Sequence, residues 1–391
     1  MKKNVLAVIF SAALAIASLA GCGKDLAETV ENSAQEASQA DENTEEVTEE
    51  KTAPGDGNDV QDEAGDIDIS YQEETESRNE ENMAPDAEAS GTEEVTVRVG
   101  SLKGPTSMGL VYLMEQAEKG EAVNHYEFTM AASADELLPA MISGDLDIVL
   151  IPANVASVLY MKTEGGVSVI DINTLGVLYM VSGDSGIKGM DDLKGRTLYL
   201  TGKGTTPDYV LQYLLRENGL TTQDVTLEYK SEATEVAAIL AKTPDAIGVL
   251  PQPFVTAACA QNEELSVVMD LTEQWNAVQK ESGSRLVTGV TVVRNSFLEE
   301  YQDTVERFME EHKASAAYAN EHVEEAAELV AAAGIIEKAP VAVKAMPACN
   351  ITYMDGDDMK MALSGYLEVL FGQDAASVGG GLPGDEFYYI P

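Results

Sequence analysis

From residue 95 onward the chain alternates short β-branched or fully apolar runs with amphipathic helical stretches, and this alternation most narrows its fold. Residues 95–100, Val-Thr-Val-Arg-Val-Gly, alternate in the manner of a strand. Between 107 and 118, Leu110, Val111, Leu113, Met114 and Ala117 recur at helical spacing. Residues 126–130 read as a second strand. Ser133-Ala-Asp-Glu136 is a capping-box pattern ahead of Leu137, Leu138 and Met141, and Gly144 supplies the stop. Residues 147–151 end in an apolar run of the kind buried in parallel sheets, and a helix opens at Ala153. Strands are expected at 167–170 and 175–181.

The pattern then restarts. A helical turn at 190–193 precedes a strand at 195–201. Thr206-Pro207-Asp208 gives an N-cap, a proline in the first turn and an early acid, and Val210, Leu211, Leu214 and Leu215 form the stripe of that helix. Strands follow at 225–229, 245–250 and 265–269, with helices at 232–242 and 253–260. After a polar stretch come a strand at 286–293 and a mainly helical region at 296–334, broken near 320–322. The last section mixes a helix at 358–371 with Gly- and Pro-rich loops. Repeated β–α units imply an α/β fold with helices on both faces of mostly parallel sheets, and two such series imply two lobes. Ligands in such folds sit beyond the carboxyl ends of strands, beside helix N-termini. The loops at 102–108, 131–135, 152–154, 202–207 and 251–253 are therefore the expected binding loops.

Charge separates this region from what precedes it. The formal charge is −44, from 68 acidic and 24 basic residues; residues 23–94 hold 25 of the acids and only Lys24, Lys51 and Arg78. That stretch has no periodic apolar stripe and is read as a disordered acidic linker, with a coil span of about 45–50 Å. So acidic a chain has no basic face for nucleic acid. Its three His and three Cys lie far apart without metal-ligand spacing, so neither a metal nor another cofactor is expected.

Residues 1–22 have Lys2 and Lys3 ahead of an apolar run and end in Leu19-Ala-Gly-Cys22. This is a secretory signal pattern, and its end resembles the bacterial lipobox. The resemblance implies a lipid on Cys22, with palmitate among its acyl chains, and an extracytoplasmic domain anchored to the cell membrane.

Several segments in order resemble the substrate-binding lipoproteins of ABC importers, in particular the nitrate/sulfonate/taurine and thiamine-pyrimidine group. They are 185–200 (Ser-Gly-Ile-Lys-Gly-Met-Asp-Asp-Leu-Lys-Gly-Arg-Thr-Leu-Tyr-Leu), 140–150, 201–211, 235–254 and 318–327. The resemblance covers roughly 95–340. It implies a type II periplasmic-binding-protein fold with two crossovers: one lobe at 95–182 plus 286–391, the other at 183–285. The implied ligand-binding residues are Lys103, Gly104, Pro105, Thr106, Ser107, Ser133, Asp135, Pro152, Ala153 and Asn154 from the first lobe. From the second they are Gly202, Lys203, Gly204, Thr205, Thr206, Pro251, Gln252 and Pro253. The implied function is capture of a small polar or anionic solute by a monomer, for delivery to an ABC permease and its ATPase. No arginine falls in these loops, unlike what a dedicated sulfonate or nitrate site leads one to expect, and the run 379–391 has no counterpart in the transport proteins.

Gly202-Lys-Gly-Thr-Thr206 lacks the spacing of a phosphate-binding loop. It is either a helix N-terminus open to a polar ligand group or a plain turn, and Lys103 and Lys203 either pair with an anion or face solvent. Tyr160, Tyr179, Tyr209, Trp275 and Tyr388 are candidates for ligand stacking or for core packing. His312 and His322 read as belonging to outward-looking helices, and His125 precedes a strand, so no catalytic histidine is expected. Cys259 and Cys349, placed in different lobes, are expected to be free thiols. The alternatives are a sensor or surface-binding lipoprotein of the same fold, or an enzyme of the thiamine-pyrimidine or menaquinone type. The lipobox and the scarcity of cysteine oppose the enzyme.

Overall fold

The computed structural model describes residues 95–391; the expected signal peptide with Cys22 and the expected linker at 23–94 lie outside the described residues. In chain order, β1 (Thr96–Leu102), α1 (Pro105–Met108), α2 (Val111–Lys119), β2 (His125–Ala131), α3 (Ala134–Ser143), β3 (Ile148–Pro152), α4 (Ala153–Lys162) and β4 (Val167–Leu175) form a first run. A second comprises β5 (Leu178–Ser182), β6 (Thr197–Leu200), α5 (Thr206–Glu217), β7 (Thr226–Tyr229), α6 (Ala233–Lys242), β8 (Ile247–Pro251), α7 (Phe254–Gln261), β9 (Ser266–Asp270) and α8 (Leu271–Val278). The chain returns through β10 (Val287–Arg294), α9 (Asn295–Glu300), α10 (Gln302–Glu321), α11 (Val323–Ala332), α12 (Ala339–Ala345), β11 (Ile351–Met354) and α13 (Gly356–Gln373).

Two sheets result, ordered β11-β4-β10-β3-β1-β2 and β7-β6-β8-β5-β9. In the first, β1 runs parallel to β2 and β3, while β10 is antiparallel to both β3 and β4. In the second, β6 runs parallel to β7 and β8, and β5 is antiparallel to β8 and β9. Two crossovers join the sheets, one between β4 and β5 and one between α8 and β10. Leu178–Ser182, grouped with the first lobe on sequence, hydrogen-bonds within the second sheet. The apolar run of β3 is buried because parallel pairing with β1 and antiparallel pairing with β10 place it inside the sheet.

Local rules act as the residues dictate. Glu136 accepts the Ser133 N–H at 3.1 Å, one half of the capping box. Several elements were not anticipated, among them the short helix Pro105–Met108 inside the expected loop at 102–108. The helix α8 is capped by Asp270, whose carboxylate accepts the Thr272 N–H at 2.7 Å, and it buries Leu271 and Trp275. Ala339–Ala345 forms a further helix, and Ile351–Met354 adds an edge strand on β4.

Asp147, just before β3, is fully buried and receives Arg98 through its backbone N–H (3.1 Å), Nε (2.8 Å) and Nη2 (2.7 Å), and Arg294 through Nη2 (2.8 Å). One carboxylate thereby ties β1, β3 and β10 together. The hydrogen bond to Asp147 raises the Arg98 pKa against the opposing effect of burial.

The expectation for His312 is corrected. It is fully buried, because α10 turns Val305, Phe308, Met309 and His312 to its inner face. Its Nδ1 lies 3.1 Å from Asp171 Oδ2 on β4, and Thr291 of β10 donates to the other carboxylate oxygen at 2.8 Å. His322 sits at the break between α10 and α11 with its ring stacked on Tyr318 at 4.7 Å. Cys259 and Cys349 are free thiols, and burial pushes the Cys349 thiol up to about 12.

Candidate functional site

A cavity of about 190 Å³ opens where the carboxyl ends of strands from both sheets meet the two crossovers. From the first sheet, the segment after β1 brings Lys103, Gly104, Pro105 and Thr106, and the end of β3 brings Pro152 and Asn154. From the second, the end of β6 brings Thr201, Gly202, Thr205 and Thr206, and the end of β8 brings Pro251 and Gln252. Between them the crossovers contribute Gly176, Val177 and Leu178 on one strand and Leu286, Val287 and Thr288 on the other.

Other expected residues stand behind this wall or away from it. Ser107 is buried and donates its hydroxyl to the Leu102 carbonyl. Ser133 is the N-cap of α3 and Asp135 is exposed in its first turn. Ala153 is buried beneath Asn154, and Pro253 lies immediately ahead of α7. The Lys203 ammonium lies 5.5 Å over the Tyr229 ring. Gly204 gives its N–H to Asp208 Oδ2 at 2.9 Å. None of these seven lines the cavity.

The aromatic expectation also shifts. Tyr366 of α13 and Phe254 of α7 line the cavity, and the five rings named from sequence do not. Tyr160 meets Phe387 edge-on at 5.0 Å, and Tyr388 meets the same ring at 5.1 Å. Tyr179 donates to the Ala348 carbonyl (2.7 Å) and Tyr209 to Asp374 (2.9 Å). Trp275 lies behind the wall, 5.6 Å from the Tyr366 ring, with Nε1 donating to Ser284 Oγ at 3.2 Å. Tyr366 comes from a helix about two hundred residues beyond the first binding loops in sequence, and the crossovers are apolar, so neither carried a binding signal. For Phe254 the signal was its place directly after Gln252-Pro253.

Lys103 is the one lining residue with a formal charge; arginine and carboxylate are absent from the lining. The positive end of α5 is occupied by the protein itself. Buried Asp208, in its first turn, accepts Gly204 N–H (2.9 Å), Gln212 Nε2 (2.7 Å) and Tyr229 Oη (2.8 Å). Burial, together with the bond to Asp208, raises the Tyr229 phenol pKa. A second anion at this helix end would therefore meet a charge of its own sign.

The lining combines aliphatic, proline and aromatic surface with Thr and Ser hydroxyls and the amides of Asn154 and Gln252. It holds no His, Cys, Asp or Glu, and what it offers a ligand is shape, hydroxyls, amides and the Lys103 ammonium. Among the described residues no group of three or more His, Cys, Asp or Glu is placed to hold a metal ion.

A family model described as NMT1/THI5 like matches residues 165–326. A putative binding protein of Brucella abortus (strain 2308) is 31% identical over 91 residues, 23% of this chain and 28% of its own length. The chain thus spans little more than a quarter of the length of the curated relatives it matches. Two solved structures are similar over most of their length. An ABC transporter from Parabacteroides distasonis shares 24% identity at a TM-score of 0.62, over 76% of this chain and 98% of that one. The periplasmic aliphatic sulphonate binding protein SsuA from Escherichia coli shares 16% at 0.59, over 76% and 92%. The fold is that of two-lobed periplasmic binding proteins, in agreement with the resemblance read from the sequence.

Proposed function

We propose that this chain is an extracytoplasmic solute-binding protein, anchored by lipid on Cys22, that captures a small organic solute and delivers it to an ABC permease and its ATPase. The observation that carries the reading is the cavity between the strand ends of both sheets, floored by the two crossovers. A ligand touching both walls favours the closed arrangement by its differential affinity for it.

The two crossovers pack closely on each other. A Cβ at Gly176 would lie 2.4 Å from Thr272 Oγ1 and 2.6 Å from Leu286 Cδ2, so the Leu286 side chain of one crossover packs directly on the bare backbone of the other. The Gly176 carbonyl accepts from Thr272 Oγ1 at 3.1 Å and from Asn350 Nδ2. The lobes we assign follow the sheets, which moves the first boundary from 182 into the crossover ahead of Leu178. The protein acts as a monomer, without cofactor, catalysis or nucleic acid.

Trp275 is the chain's one tryptophan and packs on the ring of Tyr366, which lines the cavity. Binding of the solute is therefore expected to change the intensity or wavelength of intrinsic tryptophan emission in a saturable way. A library of small metabolites that left the emission unaltered throughout would refute the binding reading. The anchor is tested separately: cells fed labelled palmitate are expected to label the wild-type chain and not Cys22→Ala, and equal labelling would remove the lipid from the proposal.

A further inference from the structure

The hydrogen bonds behind the cavity wall fix what its polar groups have left to offer. Gln252 is buried, and its Oε1 is occupied by Thr256, which donates through Oγ1 at 2.9 Å and through its backbone N–H at 3.4 Å. That orients the amide, leaving the Nε2 end as a donor with no other partner among the described residues. Asn154 is held the opposite way round. Its Nδ2 is directed to the Ser377 carbonyl at 3.4 Å, which leaves Oδ1 as an acceptor. The Thr205 hydroxyl gives its hydrogen to the Gly202 carbonyl at 2.7 Å, so its oxygen also has only lone pairs to present.

The wall therefore pairs a fixed donor on the second-sheet side with fixed acceptors from both sheets. An oxyanion such as a sulfonate or nitrate brings acceptors only: Lys103, the one cation of the lining, already has a partner, and the anion would set lone pairs against Asn154 Oδ1 and Thr205 Oγ1. A cationic or zwitterionic ligand would bring an ammonium to a lining without a carboxylate. The helix end most open to an anion, that of α5, already holds Asp208. At about 190 Å³ the space exceeds the 150 Å³ or so of an engineered cavity that holds one benzene, so a single substituted ring fits.

We infer that the cleft is specific for an uncharged, one-ring ligand carrying both a hydrogen-bond donor and an acceptor, of the cyclic amide or ureide class, rather than for an oxyanion. Such a ring places its N–H on Asn154 Oδ1 and its carbonyl on Gln252 Nε2, with its flat apolar faces against the aliphatic crossovers. The inference rests on the cavity being the ligand site and names the ligand class of that site.

The test is a titration of the purified full-length chain with hydantoin, dihydrouracil, ethanesulfonate and nitrate, read by calorimetry and by Trp275 emission. The wild type is expected to bind at least one of the cyclic ureides and neither anion. Gln252→Glu keeps an acceptor for Thr256 and replaces the free donor by an acceptor, so it is expected to weaken ureide binding about tenfold to a hundredfold. Asn154→Ala removes the opposing acceptor and is expected to weaken binding at least tenfold, which supplies a second variant should the first fold poorly; circular dichroism on both reports folding. Binding of ethanesulfonate or nitrate without binding of the ureides would overturn the ligand class and leave the binding-protein reading standing. Ureide affinity unchanged in both variants would overturn the assigned orientation of the amides, and with it the inference. Silence of the wild type to all four probes would overturn the ligand class as well; the wider library on Trp275 then decides the binding reading itself.

Discussion

Asp147→Ala is expected to lower the stability of the folded chain by about 3 kcal/mol, toward the lower end of what breaking a buried ion pair costs. The carboxylate is fully buried, and its removal leaves two guanidinium groups without their acceptor. Those side chains retain 35% and 24% exposure, so both cations reach water, and this keeps the loss below the upper end near 5 kcal/mol. The site joins β1 to β3 through Arg98 and β10 to β3 through Arg294, so the damage falls on the centre of the first sheet. Arg294→Leu is expected to cost less, because Arg98 still supplies its backbone and side-chain donors to Asp147. Urea unfolding followed by circular dichroism measures both. A midpoint for Asp147→Ala equal to that of the wild type would show that the three-strand junction does not depend on this charge.

Trp275→Ala is expected to cost about 3–5 kcal/mol, the range for removing a fully buried large aromatic side chain. The indole packs on Tyr213 at 4.9 Å and on Tyr366 at 5.6 Å, and its N–H bonds Ser284 just before the second crossover. The variant therefore loses α8 packing and also the support behind a ring of the cavity wall. Trp275→Phe keeps an aromatic face and gives up the hydrogen bond and part of the volume, so it should fall between the two. Thermal melting gives the stabilities, and calorimetric titration with the solute gives the second effect. An Ala variant with full stability would mean that α8 holds its place without the indole.

Much of this architecture was readable from residues 95–391 because its helices and central strands follow period and capping rules. The apolar run of β3, the Ser133–Glu136 cap and the Thr206-Pro207-Asp208 start of α5 all signal locally, although the N-cap is Thr205, one residue ahead of the one expected. Strand ends are where ligands bind in α/β folds, and the loops read that way include Asn154, Thr205 and Gln252, which line the cavity. What escaped depends on distant partners. His312 looks outward in a helix rich in Glu and Lys, and only the packing of α10 over the first sheet buries it against Asp171. Ile351–Met354 is too short to declare itself and becomes a strand by pairing with β4. Lys203 and Gly204, expected among the binding loops, lie outside the cavity lining, where Tyr229 and Asp208 engage them. Leu178–Ser182 pairs in the second sheet, and nothing within those five residues tells which sheet will accept them.

The return of β10 and β11 to the first sheet also fixes the order in which the halves can be completed as the chain is threaded out. Every strand of the second sheet comes from one stretch, Leu178 to Asp270, so that sheet needs nothing that follows it. The first sheet cannot be completed so early. Its strand β3 waits for β10, more than a hundred residues later, and β4 waits for Ile351–Met354. Between those moments the apolar flank of β3 has no neighbour on one side. The half begun first is thus the half finished last, and the cavity wall is complete only once Tyr366, beyond the final strand, is in place.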